Sequence, residues 1–330
     1  MTPLDNEKQE NRLDVVSKVM HFVERGVSVG LIVPTLNAGI DWPRWLAQLK
    51  SQTLQPDRVL IVDSSSTDNT AALALEAGYD VTVIQRSEFN HGTTRQVAAE
   101  TLGDMDILVY MTQDAVLVNE LSLANLISVF RNGDVAVAYG RQLPHRDSGL
   151  IGAHARLYNY SEDSEIRSLV DRRRLGIKVA FSSNSFAAYR RTVLSDVGGF
   201  PSNNIFGEDT YVVSKILLSG KSIGYCADAQ VYHSHDYTFT QDFKRCFDIG
   251  VFHAREPWLR EKFGSAEGEG KKFILSEFKF LMKKQPILLI SAFFRSGLKY
   301  IAYRSGLLER LIPLPVKRKL SMHSRYWQEK

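Results

Sequence analysis

The segment 107–115, ILVYMTQDA, closes a run of apolar residues with a carboxylate, a combination well suited to chemistry. Ile107 to Tyr110 form a short apolar stretch after Gly103-Asp104, the pattern of a strand buried on both faces of a sheet. Ligands of open α/β sheets sit outside the carboxyl ends of the strands, so Asp114 is expected at the lip of a binding crevice. Thr112 stands two residues earlier and, on a locally extended chain, faces the same side. A hydroxyl and a carboxylate together suit a sugar hydroxyl and a hard divalent cation. Three other strand ends carry similar residues: Thr35 and Asn37 after Pro34, Asp63 with Ser64, and Glu88 through His91. Any one of these is ordinary loop chemistry. Four on one rim make a polar crevice.

A sheet must align those ends. Residues 27–33, 59–62, 81–84 and 107–110 read as strands, alternating with helices that begin near Trp42 and that cover 70–77 and 92–101. Trp42, Trp45, Leu46 and Leu49 recur at the spacing of one helix face. This alternation predicts a doubly wound, mostly parallel sheet whose first half is Rossmann-like. The rhythm breaks after 135–139. Residues 141–180 are polar, with Arg172, Arg173 and Arg174 in a row, and read as an insertion. A strand over 182–189, a loop over 205–209, a helix over 211–218 and a strand over 223–233 follow. From Thr238 the pattern is helical to the end. A further helix is expected over 13–25 within a polar N-terminal arm.

Composition limits the function classes. Hydrophobic residues make up 44% and charged residues 24%, as in ordinary soluble proteins. The net charge of +4 hides an asymmetry: residues 271–330 carry 14 Lys/Arg against 3 Glu, a balance of +11 that leaves −7 for residues 1–270. Cys226 and Cys246 form neither a metal-ligand spacing nor a disulfide framework, which favours a reducing compartment. The apolar stretch 286–294 is nine residues long, far short of the roughly 20 needed to cross a bilayer. Mixed Lys/Arg and Phe, Leu, Ile and Tyr in the tail instead predict a basic amphipathic region that lies on an anionic membrane surface, or else a helical lid or dimer face whose charges are solvated. No aromatic-basic groove motif points to nucleic acid. The crevice is expected to be built entirely from residues before 271.

The motifs VPTLN (33–37), VDSSSTDNT (62–70), HGTTR (91–95), TQDA (112–115), GED (207–209) and VYHSH (231–235) follow one another in this order. In that order the chain resembles the inverting family 2 glycosyltransferases of the GT-A fold. Phe89-Asn90-His91-Gly92, TQDA and Gly140-Arg141-Gln142 make it most similar to the bacterial rhamnosyltransferases that build surface polysaccharides. The resemblance covers about residues 28–255.

The resemblance implies an N-terminal arm over 1–26, a GT-A catalytic domain over 27–255 and a basic helical tail over 256–330. Within the catalytic domain, 27–140 would bind the nucleotide sugar and 141–255 the acceptor. The implied reaction is inverting transfer of L-rhamnose from dTDP-L-rhamnose to a lipid-linked saccharide. It would serve O-antigen or other surface-polysaccharide synthesis, in the cytoplasm at the inner face of the membrane. Pro34, Thr35, Asn37, Asp63, Ser64, His91, Gly92, Arg95, Thr112 and Gln113 would line the donor nucleotide, with Asp63 accepting from the base N–H. Asp114 matches the last position of the family's DxD metal motif. Thr112 stands where the first Asp is usual, so Mg2+ or Mn2+ would rest on Asp114, with His233 or His235 as a further contact. Asp209, with Glu208 beside it, matches the base that takes the acceptor proton. Arg141 and Asn184 would meet sugar or acceptor.

Two other classes compete. A sugar nucleotidyltransferase should carry a basic residue right after the first strand, which VPTLNAG lacks. A non-catalytic, membrane-associated assembly protein has no use for the acidic set Asp63, Asp114, Glu208 and Asp209.

Overall fold

A computed structural model describes residues 26–264 and 267–328; the helix expected over 13–25 lies outside them. Nine strands form one sheet: β1 (Val29–Thr35), β2 (Arg58–Asp63), β3 (Asp80–Val83), β4 (Ile107–Met111), β5 (Val116–Leu117), β6 (Val135–Leu143), β7 (Glu165–Arg167), β8 (Phe186–Arg190) and β9 (Ser222–Tyr232). Their order is β3-β2-β1-β4-β8-β6-β9-β5, with β7 also paired to β9. β1 to β4 pair in parallel, as the alternation predicts. Beyond β4 the sheet is mixed: β8 runs antiparallel to both β4 and β6, while β6 and β9 are parallel. The parallel character thus belongs mainly to the first half. β5 and β7 are two and three residues long, too short to leave a periodic pattern.

Thirteen helices cover the sheet among the described residues. They are α1 (Trp42–Lys50), α2 (Thr70–Glu76), α3 (His91–Thr101), α4 (Ser122–Ser128), α5 (Leu150–Asn159), α6 (Arg172–Leu175) and α7 (Arg191–Asp196). The rest are α8 (Glu208–Leu218), α9 (Phe239–Arg255), α10 (Pro257–Phe263), α11 (Glu267–Lys284), α12 (Leu288–Leu307) and α13 (Leu314–Leu320). Alternation along β1 divides the core in two. Leu31 and Val33 pack with Trp42, Trp45 and Phe186 on one face; Ile32 packs with Tyr110, Tyr189 and Phe247 on the other.

Several ties bring the strand ends together. Thr35 pairs with Asp63 in the β1–β2 register. Trp45 Nε1 donates to Ala115 O at 2.8 Å, so the buried face of α1 fixes the segment that carries Asp114. Asn90 caps α3, its side chain accepting from the backbone N–H groups of Gly92 and Thr93. A Cβ at Gly92 would lie 1.8 Å from Pro201 O, so only glycine lets that loop approach.

The tail is docked rather than hanging free. Helices α9 and α12 cross at two glycines, and a Cβ on Gly306 would sit 2.1 Å from Phe247 O. Part of its positive charge is spent internally. Arg295 and Lys299 pair with the buried Asp242, and Lys317, with Arg255, pairs with the buried Glu309. No described helix is long and apolar enough to cross a membrane.

Candidate active site

The β5–β9 register explains how Asp114 meets two histidines distant in sequence. Val116 pairs with Tyr232 and Leu117 with Val231, antiparallel, so continuing the ladder sets Asp114 between His233 and His235. The histidines are two apart and share a side. Their Nε2 atoms stand 3.5 Å and 3.7 Å from the two Asp114 carboxylate oxygens. One ligand atom from each residue fits within a span of 4.8 Å.

Gln142 fixes the His233 tautomer. Its Oε1 accepts from Arg156, a side chain with donors only, so this atom must be the amide oxygen. The same Oε1 faces His233 Nδ1 at 2.9 Å, which therefore carries the proton. Nε2 faces the Asp114 carboxylate, as a donor in the imidazolium and as a ligand lone pair in the neutral ring. The 3.5 Å contact is satisfied by a positive charge between the two groups, either a proton on Nε2 or a divalent ion that both would ligate. Burial and the neighbouring His233 push His235 down to about 4, so its imidazole is neutral and able to ligate at pH 7. Burial alone would raise the Asp114 carboxyl, but the hydrogen bond and charge of His233 outweigh it and hold Asp114 well below the usual carboxylate range. Thr112 Oγ1 is buried at this strand end beside the Asp114 carboxyl. The donor set of one carboxylate and two imidazoles fits Mn2+ better than Mg2+, which prefers an all-oxygen shell.

A second charged group lies at the start of α8. Gly207 turns the chain with φ 72°, and Glu208 and Asp209 open the helix. Arg95 Nη1 donates to Glu208 Oε1 at 2.8 Å, and both side chains are buried or nearly so. Burial would raise Glu208, but the Arg95 guanidinium outweighs it and keeps the carboxylate ionised. Asp209 has no such partner. Burial, with the Glu208 charge beside it, pushes its carboxyl up to about 6. Asn184 bridges this group to the core, donating to Glu208 Oε1 and accepting from Tyr189 Oη.

The other expected residues divide. Pro34, Thr35, Ser64, His91, Arg95, Thr112, Gln113 and Asp114 line a crevice of about 820 Å³ at the strand ends. Gln113 braces it, its amide bonded to both backbone groups of Leu36. Asp63 is 1% exposed; its carboxylate accepts from Thr35 Oγ1 and from the backbone and hydroxyl of Ser66, organising the strand ends from within. Asn37, in the left-handed region at φ 46°, similarly holds the turn by accepting from Thr67 N. Arg141 pairs with Glu162, and neither Arg141 nor Asn184 reaches the crevice wall. Glu208 and Asp209 are not on that wall either.

One expectation is overturned. The crevice is not built solely from residues before 271: Met322, His323, Ser324, Arg325, Tyr326 and Gln328 also line it. Gln142 also had no evident role in the sequence, where the GRQ triplet draws attention to its charged residue while the structure uses the amide.

Sheet, crevice and acidic-imidazole cluster together define an α/β fold with a polar site at the carboxyl ends of its strands. The Glycosyl transferase family 2 model matches residues 31–198, and the chain belongs to that family. It is therefore a glycosyltransferase. It is 44% identical over 301 residues to the O-antigen chain rhamnosyltransferase WbaN of Salmonella anatum, covering 91% of this chain and 96% of that one. It is 41% identical to RfbN of Salmonella typhimurium, also an O-antigen chain rhamnosyltransferase, with the same coverage. Among solved structures, the mannosyltransferase PcManGT of Pyrobaculum calidifontis, in complex with GDP-Man and Mn2+, superposes with TM-score 0.52 at 18% identity. That match covers 95% of this chain and 93% of that one. TarS of S. aureus, residues 1–349 in complex with UDP-GlcNAc, gives TM-score 0.52 at 16% identity over 86% of this chain and 91% of that one. These two likenesses support the GT-A fold.

Proposed function

We propose that this glycosyltransferase moves L-rhamnose from dTDP-L-rhamnose, with inversion, to a lipid-linked saccharide in O-antigen synthesis. The 44% identity to an O-antigen rhamnosyltransferase supports the sugar and the pathway. One observation carries the chemistry: Asp114, His233 and His235 meet where a strand-end crevice opens. There they would hold Mn2+, which when bound neutralises charge on a leaving diphosphate. Arg95 fixes Glu208 as an anion, and that anion raises the basicity of Asp209, the group assigned to take the acceptor proton. Thr210, next in the chain, lines a second cavity of about 290 Å³ with Tyr158, Phe181 and Phe273, and this side is assigned to the acceptor.

The membrane side is read from exposure. Leu275 and Met282 on α11, with Ile290, Phe293, Phe294 and Ile301 on α12, are all more than half exposed. Lys279, Lys283 and Lys284 belong to the same α11 segment. Such a face suits an anionic bilayer in the cytoplasmic leaflet, where a lipid-linked acceptor would be presented. Thermal melts with dTDP, UDP and GDP, each with and without Mn2+, test the reading. The largest shift is expected with dTDP plus Mn2+; a larger shift with UDP or GDP overturns the assigned donor.

A further inference from the structure

The C-terminal segment reaches the crevice after more than half the chain has intervened, and it is tied down at several points. Asp248 accepts from the backbone N–H groups of Met322 and His323. Trp327 is buried against Phe247, with Arg255 and Lys317 over its ring, and its carbonyl accepts from Arg318 Nε. Tyr326 Oη donates to Asn203 O and accepts from Arg255. Thus residues 322–328 are held at the crevice as a strap rather than trailing from the last helix.

The strap brings charge with it. Its His323 ring meets the His91 ring edge-on at 5.4 Å. Arg325 donates through Nη1 to Arg86 O at 2.6 Å, and its remaining N–H groups have no hydrogen-bond partner among the described residues. Of the charged side chains on the wall, Arg95 is already neutralised by Glu208, and Glu88 and Asp114 are the carboxylates. Arg86 and Arg325 are the guanidiniums with no carboxylate partner among the described residues, Arg325 being the one the strap brings. A metal ion at Asp114 would occupy one of the carboxylates. Arg325, half-committed and on the open wall, is then a free fork of donors facing a site assigned to an anion.

We infer that residues 322–328 are a donor-binding strap, and that the Arg325 guanidinium contacts the diphosphate of the nucleotide sugar. This rests on the nucleotide-sugar reading above. It makes the tail a part of the donor site. It also explains why the helices before it are docked so closely: α12 and α13 set the path that delivers the strap.

The test uses the full-length protein and the affinity for dTDP with Mn2+, measured by calorimetry. Arg325→Gln can still donate to Arg86 O but has lost its charge, whereas Arg325→Lys keeps the charge. The expected result is at least about a tenfold weaker Kd for R325Q, with R325K within about threefold of wild type and melting temperatures unchanged. In turnover, KM for the donor should rise in R325Q while kcat holds. Wild-type affinity in R325Q would reduce Arg325 to a tie for the strap and overturn the inference, as would R325K as weak as R325Q. Wild-type protein that binds no nucleoside diphosphate would overturn the donor reading itself.

Discussion

Asp209 and Gln142 carry the sharpest consequences at the scale of single residues. Asp209 is held up at about 6, so as a base it is protonated and idle below that pH. The rate at subsaturating substrate should fall about tenfold per pH unit below pH 6, and Asp209→Asn should lose turnover while still binding dTDP. Stability moves the other way. A carboxyl whose folded pKa lies above its unfolded value binds more protons when folded, so its contribution to stability declines as pH rises from about 4 to about 6. Asp209→Asn should therefore raise the melting temperature at pH 8 and change it little at pH 4. A wild-type pH profile in that variant would remove Asp209 from catalysis. Gln142 acts through His233, and Gln142→Met should weaken Mn2+ binding about 10–100-fold, as loss of an orienting partner does elsewhere. Gln142→Glu keeps the acceptor and should restore most of it; calorimetric Mn2+ titration distinguishes them. Asp114 was legible in the sequence because a buried strand ending in TQDA announces a carboxylate on the rim. Asp63 was legible as a rim residue, but not as one turned inward, because its partners Ser66 and Thr35 are set by a turn whose geometry leaves no pattern.

Secondary-structure elements behave as their periodicity suggests where they are long enough to have one. β1 to β4 and α1 to α3 follow the alternation of apolar runs and amphipathic stretches, with shifts of a residue or two at their ends. The two- and three-residue strands β5 and β7 had no pattern to read, yet β5 is the strand that places Asp114 beside the histidines. The α9–α12 crossing depends on Gly250 and Gly306. Gly306→Ala would thrust a Cβ to 2.1 Å from Phe247 O. It should cost about 1–3 kcal/mol by overpacking and, by displacing α12, also weaken donor binding. Thermal melts and dTDP titration report the two effects. An unchanged melting temperature would mean that the crossing relaxes freely.

Across the whole molecule, the tail is where sequence and structure part. Its basic and apolar residues were plain to read, but an amphipathic pattern does not say which face another helix covers. Asp242 and Glu309 absorb some of its cations, and the C-terminal segment lines the crevice, so removing residues 271–330 should abolish donor binding rather than spare it. Membrane attraction is better tested by exposed residues. Phe293→Ser with Phe294→Ser should cut sedimentation with anionic vesicles while leaving dTDP affinity intact, because both side chains are over 60% exposed. The part due to Lys should fade with salt, screened over about 8 Å at physiological ionic strength. Sedimentation equal to wild type would take that face out of the membrane role.

The central claim is that Asp114, between two histidines, organises metal-dependent transfer from dTDP-L-rhamnose. Nucleotide release from dTDP-L-rhamnose and from UDP- and GDP-sugars, with a rhamnose-accepting lipid-linked saccharide and with or without Mn2+, measures it directly for the wild type and Asp114→Ala. The account predicts Mn2+-dependent release of dTDP by the wild type, with no comparable rate on the other donors and none above background in Asp114→Ala. Near-wild-type, metal-dependent turnover in Asp114→Ala, or faster transfer from a UDP- or GDP-sugar, would contradict it.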